Sequence, residues 1–383
     1  MGHRAEIKWR GDGRSTSAPH YRQACDGSEQ GACPMECSSG GNNLMRNIVA
    51  CGLSVLAMTS IASAQTEDAF FKGRTLSVNI GFGNTGSYDF YGRLLSRHIG
   101  RHVPGAPTVI VQNMPGAGST KLANWMYSVA PKDGTAIGIA SQTVALEEVL
   151  GASGVQYQAA RFNWIGRLTS SGEVMIVSAA SGVRSIEDIR RREIVVGTTG
   201  AGSPSQGYPM LMNAGANAKF KIVTGYPSSG DVLLALEKGE VEAASGLLSH
   251  LHASHKDWLD QKKVHILLSE TVERMPAIPD VPAVSELGVT PEDSAMLRLY
   301  ASTASVGRAF FAPPDMRAER VATLRAAFEA MVKSAEFLAD AEKLHADITP
   351  MGGAELQKIV AATSQTPPAI VARMKKVMHA AEK

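Results

Sequence analysis

Several glycine-rich segments hold the residues whose types and spacing could do chemistry. The first, Gly81-Phe82-Gly83-Asn84-Thr85-Gly86-Ser87-Tyr88-Asp89, follows an apolar β-rich run and precedes the helical pattern of residues 90–99. Glycine permits positive φ, and a helix start offers unpaired N–H groups with a partial positive charge, so the place suits an anion. Gly81, Gly83 and Gly86 also satisfy G-x-G-x-x-G, the dinucleotide fingerprint. A dinucleotide site wants an acid at the end of the next strand to hold the ribose, and there the chain reads Gln112-Asn113. A nicotinamide-dependent oxidoreductase is therefore a remote alternative. Further along, Thr198-Thr199-Gly200-Ala201-Gly202-Ser203-Pro204-Ser205-Gln206 repeats the arrangement of strand, glycine-rich loop and helix. None of these loops contains Arg. A carboxylate can be held there by N–H and hydroxyl donors alone, since charge-assisted hydrogen bonds supply the affinity.

Two more segments belong with these. Ser141-Gln142-Thr143 brings three polar side chains to another helix start, and in open sheets ligands sit at the carboxyl ends of strands. Asn113-Met114-Pro115-Gly116-Ala117-Gly118-Ser119-Thr120 offers Ser119 or Thr120 as a helix cap, and reads equally as a rigid turn. His250, His252 and His255 stand at i, i+2 and i+5, which do not share a helix face, so they do not converge as metal ligands. No G-x-S-x-G elbow, P-loop or H-E-x-x-H occurs. Asp89 at a helix start is better suited to capping or bracing than to acting as a base. The expectation is binding without catalysis, with no cofactor and no metal.

The elements that must position these loops alternate. Short β-rich runs at 76–80, 109–112, 136–140, 174–178, 194–197, 221–223 and 264–268 are separated by helical stretches, which implies an α/β protein with parallel-type sheets flanked by helices. Residues 165–173 and 302–312 read as crossings between two lobes. One lobe would hold residues 65–168 plus 306–383, and the other 169–305. After Pro313-Pro314, Asp315 is placed to cap a helix whose apolar face is Val321, Leu324, Phe328 and Met331.

The chain has 383 residues, 44% hydrophobic and 19% charged, enough for two domains with substantial cores. Its net charge of +2, without a long basic block, excludes a nucleic-acid footprint. Residues 45–64 read as a secretory signal peptide: Arg46 precedes the apolar run 48–62, and Ala62-Ser63-Ala64 forms an A-x-A end. Residues 1–44 read either as the product of a misplaced start before Met45 or as a disordered extension. Cys25, Cys33, Cys37 and Cys51 all precede the expected cleavage, so thiol chemistry is not expected to carry fold or function.

Gln112-Asn113-Met114-Pro115-Gly116-Ala117-Gly118, Ala130-Pro131-Lys132-Asp133-Gly134-Thr135 and residues 278–288 (IPDVPAVSELG) resemble, in that order, the substrate-binding proteins of tripartite tricarboxylate transporters, the TctC or Bug family. The resemblance implies a two-lobed Venus-flytrap fold of the periplasmic type II kind. It implies a monomer that captures a small carboxylate between its lobes in the periplasm, a di- or tricarboxylate or an aromatic acid, and delivers it to membrane permease subunits. A receptor that presents its closed form to a membrane sensor is the alternative. Carried residue by residue, it points to Phe82, Asn84, Thr85, Ser87, Tyr88, Asp89, Ser141, Thr143, Ala201, Ser203 and Tyr226 as ligand contacts. The sequence departs from the family at Gly83-Asn84-Thr85-Gly86, where a Pro-Gly-Gly-like loop is usual. It departs again at Gln206, near a common His, and at Tyr226-Pro227-Ser228, in place of a Tyr-Lys-Gly turn.

Overall fold

The structure, a computed structural model, describes residues 70–363 and 365–380. The expected signal peptide and the segment before it lie outside the described residues. Eleven strands follow in chain order among those described: β1 (Thr75–Ile80), β2 (Thr108–Asn113), β3 (Ala136–Ile139), β4 (Asn163–Arg167), β5 (Glu173–Ser178), β6 (Ile194–Thr198), β7 (Phe220–Thr224), β8 (Ala243–Leu247), β9 (Val264–Ser269), β10 (Ala309–Ala312) and β11 (Met351–Gly352). They form a six-stranded sheet ordered β11-β4-β10-β3-β1-β2 and a five-stranded sheet ordered β7-β6-β8-β5-β9. Each sheet is flanked by helices, which gives an α/β fold of two lobes.

Both sheets are mixed, where the alternation of strands and helices led us to expect parallel ones. The β1, β2 and β3 strands pair in parallel, as do β6, β7 and β8. Strand β10 runs antiparallel to both β3 and β4, and β5 runs antiparallel to β8 and β9. The reversed strands are the ones by which the chain enters a lobe. Strand β5 follows the first crossing and β10 the second, so neither is delivered by a helical crossover that would force parallel pairing.

The helix Ser87–His98 buries Leu94, Leu95 and His98 on one side, the 3.6-residue spacing that faces a sheet. The helix Ala318–Met331 buries Val321, Leu324, Phe328 and Met331 as its spacing requires. Asp315 does not cap that helix; it lies at φ 60° and pairs with Lys132 and Arg161 instead. The helix Pro368–Ala380, expected with the first lobe, packs mainly on the second and also touches the helix Val144–Leu150 of the first. Its Met374 and Met378 enter the apolar cluster of Tyr208, Met296 and Leu297, and Arg373 pairs with Asp293. The apolar stripe of a terminal helix does not say which surface receives it.

Candidate functional site

The two lobes meet through the loops at the carboxyl ends of their central strands. Gly83 donates its N–H to the carbonyl of Pro227 at 2.9 Å. Thr85 and Ser228 share a hydrogen bond between their hydroxyls. Thr143 donates to the carbonyl of Gly202 at 2.5 Å, and Ser141 reaches the same oxygen at 3.5 Å. Two glycines make this approach possible. A Cβ on Gly86, at φ +88°, would lie 2.3 Å from Oγ of Ser229, and one on Gly118, at φ +57°, would lie 2.3 Å from the carbonyl oxygen of Ala201. The loops that depart from the family pattern, at Gly83-Asn84-Thr85-Gly86 and Tyr226-Pro227-Ser228, thus face each other.

Between these contacts lies an interlobe cavity of about 30 Å³, room for one or two waters. The first lobe lines it with Phe82, Thr85, Ser87 and Tyr88. The second contributes Glu173, Thr199, Pro204, Ser205 and Ser229, with the end of β8 from Ser245 to Leu247. Three helices begin at this cavity: Ser87–His98, Pro204–Gly215 and Ser229–Glu237. The first two have no side-chain cap on their opening turns, whereas Ser228 accepts from the N–H of Asp231 at the third. Each helix start carries about half a positive charge. The convergence makes the cavity favourable to an anion although the glycine-rich loops hold no basic side chain.

Below the cavity is a charge network. Arg308, in the second crossing and 0% exposed, donates to Oγ of Ser87 at 2.8 Å and to Oε1 of Glu173 at 2.7 Å. It also reaches Gln142 and Ser171, each at 3.2 Å. Its guanidinium lies 4.0 Å from the ring centroid of Tyr88, whose other side stacks on Phe82 at 4.3 Å. Burial alone would lower the Arg308 pKa, but the Tyr88 phenol oxygen and Glu173 outweigh it and the guanidinium stays charged. Burial pushes the Tyr88 phenol up, partly offset by Arg308, so it remains protonated. Glu270 is also fully buried and accepts from Ser245; burial first, and the charge of Glu173 second, raise its pKa well above the usual carboxyl range. The site therefore holds one buried salt bridge, Arg308 with Glu173, beside a neutral acid.

The residues expected to touch a ligand separate into groups. Phe82, Thr85, Ser87 and Tyr88 line the cavity. Ser141 and Thr143 are buried and face Gly202 across the lobes instead. Ser203 is buried with its hydroxyl donated to the carbonyl of Gly200 at 2.7 Å, and its neighbour Ser205 takes the place at the cavity wall. Ala201 packs near Gly118. Tyr226 packs on the apolar cluster of the second lobe around Val232 and Leu236. Asn84 and Asp89 border a wider recess of about 440 Å³ outside Thr85, with Arg93 and His250. Asp89 accepts from Arg93 at 2.7 Å and from Asn113 at 2.9 Å, and Asn113 also donates to the carbonyl of Phe82 at 3.0 Å. The residue standing where a dinucleotide site would need its acid is thus committed to bracing the first loop. Ser119 lies in the left-handed region at φ 81° and does not cap the next helix; its Oγ accepts from the N–H of Ser141 at 2.7 Å.

Glu173, Thr199, Ser205, Ser229, Ser245 and Arg308 escaped the sequence reading. Thr199 and Ser205 lay inside a loop already singled out for its hydroxyl donors, but were not picked from it as contacts. Arg308 and Glu173 carried no local signal: they are 135 residues apart and meet only because both crossings pass the same point.

The sequence over residues 100–380 matches the model of the tripartite tricarboxylate transporter family receptor. The chain belongs to that family. Among solved structures, the periplasmic binding protein BugD aligns with a TM-score of 0.63 at 19% identity, covering 79% of this receptor and 97% of BugD. MatC from Rhodopseudomonas palustris with bound malate aligns with a TM-score of 0.59 at 21% identity, covering 80% and 99%. An R. palustris protein with adipate gives 0.60 at 19%, covering 81% and 97%. These likenesses establish the fold of the receptor as that of a periplasmic binding protein. No curated protein matches the sequence.

Proposed function

We propose that this receptor captures a small organic carboxylate in the interlobe cavity, in the periplasm, and presents its closed form to the membrane subunits of a transporter. The observation that carries the reading is the meeting of three helix starts, one from the first lobe and two from the second, at one cavity with serine and threonine hydroxyls. A carboxylate there accepts hydrogen bonds from both lobes at once, so it favours the closed form over the open one by its differential contacts. That malate and adipate are bound by proteins of the same fold agrees with this class of ligand. Entry requires the contacts Gly83–Pro227, Thr85–Ser228 and Thr143–Gly202 to part, since about 30 Å³ admits no dicarboxylate.

The test is a thermal-shift screen of the purified protein against mono-, di-, tri- and aromatic carboxylates, with nicotinamide cofactors as controls. A ligand at 100 times its Kd adds about 2.7 kcal/mol of stability. The reading expects a shift with at least one carboxylate that is weakened by Ser205→Ala. Silence with every acid, together with a shift from a nicotinamide cofactor, would overturn it.

A further inference from the structure

Glu173 is the one ionisable carboxylate lining the interlobe cavity among the described residues. It opens β5 where the chain has just crossed from the first lobe, and its side chain is 10% exposed. Its Oε1 is held by Arg308 at 2.7 Å. No hydrogen bond to its Oε2 is formed by the described residues, and the residue lines the cavity. The Ser245 hydroxyl is donated to Glu270, and the Arg308 nitrogens that carry hydrogen bonds are taken up by Ser87, Glu173, Gln142 and Ser171. The other oxygen of Glu173 is held by the Arg308 guanidinium, and a carboxylate oxygen accepts hydrogen bonds, so the wall of an otherwise donor-rich cavity presents one acceptor.

From this we infer that Glu173 makes the receptor select carboxylates that carry a hydrogen-bond donor, a hydroxyl or an ammonium group, beside the carboxylate. The inference rests on the proposed capture of a carboxylate in this cavity and narrows the ligand class. The ligand's carboxylate meets the helix starts and the hydroxyls of Ser87 and Ser205, while its donor meets Oε2 of Glu173. A plain di- or tricarboxylate in the same position leaves Oε2 buried without a partner and sets a like charge against it. Leaving a buried charged acceptor unpaired weakens binding on the order of 10- to 100-fold. Arg308 acts through Glu173: by fixing Oε1 it aims Oε2 into the cavity, which makes it a positioning residue.

The experiment is isothermal titration of the full protein with two matched series, succinate, malate and aspartate, then glutarate, 2-hydroxyglutarate and glutamate. Within each series only one substituent differs. The inference expects a donor-bearing member to bind about 10- to 100-fold more tightly than its plain parent, and this ratio to collapse toward one in Glu173→Ala. Glu173→Gln keeps an acceptor but loses the charge, so it retains preference for the hydroxyl acid and loses preference for the ammonium acid. Circular dichroism and the unfolding midpoint of each variant confirm that it folds, and the wild-type ratio stands without any variant. Equal binding of plain and substituted acids overturns the inference while leaving the capture of carboxylates intact. A preference that survives in Glu173→Ala overturns the role of Glu173. Silence with every acid here and across the wider carboxylate screen counts against carboxylate capture itself, and the inference falls with it.

Discussion

Replacing Arg308 by Met tests whether the charge network below the cavity holds the two lobes in register. Arg308 is 0% exposed and joins Ser87 and Gln142 of the first lobe to Ser171 and Glu173 at the crossing. Methionine fills most of the volume but leaves Glu173 without its counter-ion, next to the buried Glu270. Breaking a buried pair by removing one partner costs about 3–5 kcal/mol, because the remaining charge is stranded. The double variant Arg308→Met with Glu173→Gln removes both charges and should recover about half of that loss, about 2 kcal/mol relative to Arg308→Met alone. Thermal unfolding followed by circular dichroism reads the difference: a fall in Tm of about 10 °C for the single variant and a clearly smaller one for the double. A loss under 1 kcal/mol in the single variant, or a double variant no better than the single, would refute the argument that charge pairing organises this floor.

Two other outcomes follow from the geometry. Gly118→Ala places a Cβ against the carbonyl of Ala201 at a positive φ, so the closed form is disfavoured; small-angle scattering should show a larger radius of gyration in the presence of ligand, and affinity should fall by about tenfold or more, as expected for a closure penalty above 1.4 kcal/mol. Unchanged affinity would show that the lobes do not need this approach to close. Burial first, and the charges of His255 and Arg308 after it, lower His250 from its ordinary value of 6.5 to about 4. The folded state therefore binds fewer protons than the unfolded one between those values, and the stability His250 contributes is present above about 6.5 and lost as pH falls toward 4, roughly 3 kcal/mol in all. Comparison of denaturant midpoints for wild type and His250→Asn between pH 7 and 4 checks this, since the contribution of Glu270 cancels in the difference; parallel profiles would count against it.

Much of the fold was legible where the pattern was long and β-branched. Strands such as β1 and β9 carry alternating Val, Ile and Leu that read as strand in any context. Strands β4, β8 and β10 did not, because NWIGR, AASGL and AFFA are short, small-residue or aromatic runs whose strand character comes from neighbours on both sides. Of the site, the loops were legible because glycine beside a helix start has a physical meaning at the level of a few residues. Which side chains in those loops face inward was not: Ser203 and Ser205 differ by two positions, yet one hydroxyl is spent on Gly200 and the other reaches the cavity wall.

The sequence by itself determined the α/β class, the family and the helix starts that make an anion site, since each depends on local spacing or on ordered motifs. The tertiary structure alone decided the direction of β5 and β10, the docking of Met374 and Met378 on the second lobe, and the meeting of Arg308 with Glu173. Those outcomes rest on which surfaces the two crossings bring together, and a charge in a crossing acquires its partner only when both passes of the chain are in place.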